Sequence, residues 1–200
     1  MAKVTAKDKI IASTLDLMKG RGYQAVTVDE IISHAGVSKG SFYHAFKSKE
    51  ELALTAMEVY GNRGWEIVAN GEYRNIEDPV KRAKSFVEHV RTKSGELWKH
   101  GCLLGAIALE VAESNPKLIK KIDMLFNNLE DGGERIFTPA LKARKVKKVT
   151  GKELGRHFLA IIEGGIVVSK SHSTPEYLDQ EIGHFIKYLD YILEGRGANR

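Results

Sequence analysis

Residues Lys39-Gly40-Ser41-Phe42-Tyr43-His44-Ala45-Phe46 put basic, hydroxyl, aromatic and imidazole groups into about two helical turns. Lys39, Ser41, Tyr43 and His44 carry donors that reach phosphate oxygens and base edges, and Gly40 allows a close backbone approach. Phe42 and Phe46 stand four apart and share one face, suited to a core. Other chemistries are less well supported. Gly36-Val37-Ser38-Lys39-Gly40 satisfies the Gly-x-Ser-x-Gly pattern of a hydrolase elbow, but that chemistry needs a strand before the serine and here a helix precedes it. The seven histidines show no i, i+4 metal spacing, and Gly132-Gly133 lacks the following Lys-Ser/Thr of a phosphate loop. No catalytic group, metal site or cofactor is expected. Cys102, the single cysteine, lies in Gly101-Cys102-Leu103-Leu104-Gly105 after Lys99 and His100. A helix start and nearby cations would favour its thiolate; a small buried core residue is the alternative reading.

A segment such as Lys39–Phe46 needs tightly capped neighbours, and the flanking sequence supplies them. Thr27 and Glu30 have the spacing of a reciprocal capping box, and Ser48 with Glu51 repeats it. Ala35-Gly36-Val37-Ser38 ends one helix at a glycine and caps the next, the geometry of a helix-turn-helix. A first helix is predicted over about Ala6 to Lys19, with Ile10, Ile11, Leu15 and Met18 inside, stopped by Gly20-Arg21-Gly22. The second covers Val28 to His34. A fourth follows Ser48 with Leu52, Leu54, Met57, Val59 and Tyr60, and can continue past Gly61 and Gly64 to Ala69.

Asn70 to Asp78 reads as a polar connector, and Asp78-Pro79 opens a helix ending near Gly95 or Trp98. A short apolar helix covers Gly101 to Ala112, and another starts at Asn115-Pro116, with a break or bend expected at Gly132-Gly133. Lys142 to Lys152 holds six basic residues and no acid, and reads as an exposed connector. Two long helices, Glu153 to Lys170 and Thr174-Pro175 to about Glu194, follow. Their wide apolar stripes suit a four-helix bundle between two subunits. Arg196 to Arg200 reads as a frayed tail. The fold class is all-α, with a helix-turn-helix domain over residues 1–50 and a larger helical domain over 51–200.

The chain has 200 residues, 42% hydrophobic and 28% charged, enough to build a core. No apolar run reaches the ~18 residues of a membrane span, and the start Met-Ala-Lys-Val-Thr-Ala-Lys-Asp-Lys lacks a secretory signal. A cytoplasmic location and no membrane partner are expected. The net charge is +5; residues 1–50 carry eight basic and five acidic side chains, the remainder 23 and 21. A basic end on a nearly neutral body suits a nucleic-acid partner. An effector-independent architectural DNA-binding protein would need a strongly basic body, and a small helical enzyme a nucleophile–base pair or metal cluster.

The strings Thr27-Val28-Asp29-Glu30-Ile31, Ala35 to His44 and Phe46-Lys47-Ser48-Lys49-Glu50-Glu51-Leu52 resemble the DNA-binding domain of the TetR family of bacterial transcriptional repressors, over roughly Lys7 to Tyr60. The rest is similar in architecture to that family's ligand-binding and dimerisation domain. The resemblance implies a homodimer on a palindromic operator in double-stranded DNA, released by a small-molecule effector. By position, it implies that the segment led by Ser38 enters the major groove, with Lys39, Gly40, Ser41, Tyr43 and His44 facing DNA. Thr27 and Lys49 would meet backbone phosphates at helix N-termini. Two positions depart from the family pattern. Ile32 replaces a usual alanine, which bears on how the motif helices cross, and Ala45 replaces His or Tyr and removes one polar contact.

Gly101 to Gly105 also resembles a subgroup with electrophile- and oxidant-responsive repressors, which implies modification of Cys102, with Lys170 as a hydrogen-bonding partner. A pocket among the middle helices could use Trp65, Phe86, Trp98, Met124 and Phe126, each of which also reads as plain core.

Overall fold

The computed structural model describes residues 4–194, and among them every regular element is a helix. The first four are α1 (Ala6–Arg21), α2 (Val28–Ala35), α3 (Lys39–Ala45) and α4 (Lys49–Ala69). A 3-10 turn, Glu72–Asn75, leads to α5 (Pro79–Leu97) and α6 (Leu103–Val111). The chain continues with α7 (Pro116–Ala143), α8 (Gly151–His172) and α9 (Glu176–Leu193). No helix among the described residues is long and apolar enough to cross a membrane. The expected tail at Arg196 to Arg200 lies outside the described residues.

Capping chemistry sets most boundaries. Thr5 with Asp8, Thr27 with Glu30 and Thr150 with Glu153 each form a reciprocal box at the start of α1, α2 and α8. Asp78 accepts the amides of Val80 and Lys81 at 2.8 and 2.9 Å, and Pro79 occupies the first turn of α5, where its missing N–H costs nothing. At the far end of α2, Gly36 takes the left-handed conformation, φ +62°, and its amide returns to the last turn.

The chain divides into two compact units, one formed by residues up to Arg63 together with His100–Leu125, the other by Gly64–Lys99 and Phe126 onward. In the first, α1, α2 and α3 pack on one another around Ile10, Leu15, Met18, Val26, Ile31, Phe42 and Phe46, all buried, with Leu52, Ala53, Ala56 and Met57 from the start of α4. The second is built on α5, α8 and α9. Its centre is aromatic. Phe86 meets Phe137 and Phe158 edge-on at 6.0 and 6.1 Å, and Phe158 stacks on Phe185 at 4.7 Å. Arg91 on α5 makes a two-pronged pair with Asp179 on α9, at 2.8 and 2.7 Å. Lys84 and Asp190 pair at 2.5 Å between the same helices.

Two expectations are corrected. Asn70 to Asp78 is not simply a polar connector, because Tyr73 is buried within it and its hydroxyl donates to the Val68 carbonyl at 3.1 Å, closing the end of α4. α7 also runs unbroken through Gly132-Gly133. Gly133 is needed for close approach: a Cβ there would lie 2.7 Å from the Gly155 Cα, and one on Gly155 would lie 2.6 Å from the Glu130 carbonyl oxygen. Helix propensity disfavours these glycines by ~1 kcal/mol each, and the contact between α7 and α8 backbones offsets it.

Gly155→Ala should therefore destabilise the protein by about 1–3 kcal/mol, the usual cost of overpacking. Gly164→Ala, where a Cβ meets nothing within 4 Å, should be neutral or stabilising by up to ~1 kcal/mol. Chemical denaturation of the two variants tests the contrast; equal effects would remove the tight crossing as the reason for glycine at 155.

Candidate nucleic-acid interface

α3 is registered by its inward side. Phe42 is fully buried and Phe46, just past the helix end, is 2% exposed. That leaves Tyr43 52% exposed, its ring edge-on to Phe42 at 5.2 Å. Lys39, Gly40 and His44 are also exposed and Ser41 is half-buried. Ser38 caps the helix: its hydroxyl accepts the Ser41 amide at 3.1 Å and lies 2.9 Å from the Ser41 hydroxyl. Lys39, Gly40, Tyr43 and His44 thus form one exposed group on a seven-residue helix, a set able to donate to phosphate and base acceptors. The Lys39 ammonium lies 3.5 Å from Asp29, an exposed pair that water screens. Ile32 and Ala45 are both half-buried.

Thr27 is more committed than its sequence position suggests. Its hydroxyl donates to the Glu30 carboxylate at 2.8 Å and accepts the Glu30 amide at 3.3 Å. Its amide also donates to Glu30, at 2.8 Å, and Arg21 donates to the other carboxylate oxygen at 2.7 Å. The Thr27 amide, the Arg21 guanidinium and the Thr27 hydroxyl together pull the Glu30 carboxyl from 4.5 down to about 2. Ser48 accepts the Glu51 amide at 3.1 Å, but the Glu51 carboxylate accepts from the Lys47 amide at 2.9 Å, one residue before the cap, so no reciprocal box closes there.

Lys49 turns inward. Its ammonium donates to the carbonyl of Val26 at 2.7 Å and to that of Gln24 at 3.4 Å, and lies 4.4 Å from the Tyr23 ring centre. Partial burial lowers its pKa, opposed by the charges of Glu110 and Glu30. With two donors engaged, one remains for a phosphate. On the other side of the same turn stands Glu110, which the sequence reading missed. Its only signal is an acid in the otherwise uncharged helix Leu103–Val111.

The candidate effector residues are divided between the two units. Cys102 is 8% exposed and caps α6, its Sγ accepting the Gly105 amide at 3.5 Å. Met124, exposed, lies in the same compact unit. Lys170, Trp65, Phe86, Trp98 and Phe126 lie in the other. There Phe86 is buried in the aromatic cluster, the Arg135 guanidinium sits 5.9 Å from the Trp65 ring, Trp98 ends α5, and Lys170 is exposed in the last turn of α8.

Residues 10–56 match the family model described as bacterial regulatory proteins, tetR family, and residues 79–182 match the LmrA/YxaF-like transcriptional regulator C-terminal domain. The HTH-type transcriptional regulator YxaF of Bacillus subtilis (strain 168) is 26% identical over 166 residues, 82% of this chain and 84% of its own. The HTH-type transcriptional repressor NemR of Escherichia coli (strain K12) is 26% identical over 110 residues, 53% of this chain and 52% of its own. The matched stretch spans 64% of a Lactococcus lactis regulator and 19% of YerO from Bacillus subtilis. A solved structure of regulatory protein TetR from Rhodobacter sphaeroides shares the fold, with a TM-score of 0.78, 23% identity and coverage of 91% of this chain and 97% of that one.

The depressed Glu30 value fixes a sign. A carboxyl held below its ordinary value stabilises the fold at neutral pH, and that contribution fades as pH falls from 4.5 toward about 2. Glu30→Gln should melt below the parent near neutrality and converge with it across that acid window. A gap in melting temperature that persists to the bottom of the window would refute the assignment.

Proposed function

Because the chain belongs to the tetR family of bacterial regulatory proteins, we propose that this DNA-binding transcription regulator is a repressor, acting as a homodimer on a palindromic operator and released by a small-molecule or thiol-reactive effector. The observation that carries the reading is α3, where Phe42, and Phe46 just past the helix end, are buried while Lys39, Gly40, Tyr43 and His44 face outward. In this reading Ser38 opens the groove-facing segment and Ser41 adds a hydroxyl beside it. Thr27 and Lys49 mark the α2 and α4 starts, where amides and helix dipoles favour a phosphate.

The dimer is supported by the outer sides of α8 and α9. Val167 is 59% exposed and Tyr191 50%, with Val168 and Tyr188 exposed beside them in sequence. Apolar surface of this kind suits a second copy, and two paired subunits would present two copies of α3 to one duplex. Release is a population shift: the effector binds the operator-incompetent form more tightly than the competent one. Cys102 is the candidate for a thiol-reactive effector. Its Sγ accepts the Gly105 amide at the start of α6. Modification there would displace the sulfur from its capping position.

Selection from a randomised duplex pool should return inverted repeats, bound with a steep salt dependence from several phosphate contacts per subunit. Tyr43→Ala should weaken the selected duplex by about 1–3 kcal/mol if the ring or hydroxyl meets a base. Recovery of no preferred sequence, or unaltered binding by the variant, would count against the reading or against Tyr43 respectively. N-ethylmaleimide, whose double bond adds the thiolate sulfur at one carbon and a solvent proton at the other, should lower operator affinity in the parent and leave Cys102→Ser unaffected. Equal loss in both proteins would dismiss Cys102 as the sensor.

A further inference from the structure

The turn between α1 and α2 is held by opposite charges on its two kinds of peptide group. Glu110, in the last turn of α6, accepts the Tyr23 amide on Oε1 at 3.1 Å and the Gln24 amide on Oε2 at 2.8 Å. The Gln24 side-chain nitrogen returns a bond to the Glu110 carbonyl at 2.9 Å. Lys49 takes the carbonyls of Gln24 and Val26. A carboxylate thus satisfies the amides and an ammonium the carbonyls of one short stretch. The residue after it is Thr27, the cap of α2. Gly22 makes the approach possible: its φ is +81°, and a Cβ there would fall 2.0 Å from Glu110 Oε1.

We propose that Glu110 is a positioning residue for DNA binding, fixing the turn from which α2 departs and so the attitude at which α2 and α3 meet a duplex. The inference rests on the reading of α3 as the DNA-contacting helix. α2 and α3 have eight and seven residues, too few to hold an orientation unaided. Their buried side chains, and Arg21 through its bonds to Ala25 at 2.9 Å and Glu30 at 2.7 Å, tie them to α1; the clamp adds a second hold on the entry to α2, from α6 and α4. Charge-assisted bonds to two successive amides are directional as well as strong, and hydrogen bonds to bases and phosphates weaken steeply once bent below about 120°.

Glu110→Gln is the discriminating change, because it keeps shape but leaves one carbonyl acceptor and turns an amide NH2 toward a backbone N–H. Measured against the duplex selected on the parent protein, it should bind about tenfold more weakly, as expected for losing charge-assisted bonds that set geometry. Two further readouts separate positioning from mere support. The dependence of affinity on salt should flatten, because fewer phosphates are met at once, and hydrogen exchange at the Tyr23 and Gln24 amides should quicken at temperatures where the variant is fully folded. Gln24→Ala, which removes only the side-chain strap, should move both in the same direction by a smaller factor.

Faster exchange at Tyr23 and Gln24 with unchanged affinity and salt slope, in either variant, would reduce the clamp to a structural brace and overturn the proposal. If Glu110→Gln does not fold, Gln24→Ala decides alone by the same criterion. A parent protein that binds no duplex with a salt-dependent affinity would instead overturn the DNA-binding reading, and the positioning role with it.

Discussion

A helix of seven residues has almost no stability of its own in water, since the cost of its first turn is spread over too few hydrogen bonds. α3 exists because Phe42, and Phe46 at its end, are removed from solvent, each contributing roughly 1.5–3 kcal/mol. That burial also fixes rotation. With the rings inward, Tyr43 and His44 have only the solvent side to occupy, and the Ser38 cap sets where the first free amides point. The chemistry offered outside is therefore dictated by a hydrophobic register inside.

The charged clamp on the α1–α2 turn belongs to the same logic. Three short helices give a core but little leverage on orientation. α6 adds leverage from a distant part of the chain, through Glu110 at one end. At its other end, about 12 Å away at helical rise, Cys102 caps the first turn. α6 is tied to the turn by two hydrogen bonds to consecutive amides. Lys49, on the opposite side, belongs to α4 and holds the same turn by the carbonyls of Gln24 and Val26. The turn is thus a junction of four helices, although it has no regular structure itself.

Features set by neighbours in sequence were legible before the structure. The Thr27 and Ser38 caps, the Gly36 terminus and the inward phenylalanines depend on residues within four positions, and they stand where spacing put them. At Ser48 the hydroxyl was readable but the carboxylate was not, because Glu51 finds the Lys47 amide one residue earlier. Contacts between distant residues left little trace. Tyr23 and Glu110 are 87 residues apart, and Tyr73 closes α4 from a segment whose composition is polar. Gly132-Gly133 misled because local propensity counts a missing Cβ as a loss, whereas packing against α8 requires it. The aromatic candidates for an effector pocket were the least readable: composition does not distinguish a ring in a cluster, as Phe86 proves to be, from one lining a cavity.

The α7–α8 crossing has a bearing on how such a protein can diversify. Because Gly133 and Gly155 meet through main chain, the closest approach of this crossing does not depend on a side chain's shape. Phenyl rings around Phe86 and Phe158 could be exchanged over generations for groups of other size or polarity while the helix axes kept their separation. Two hydrogens in place of two methyls would then be the standing cost of an interior otherwise open to change.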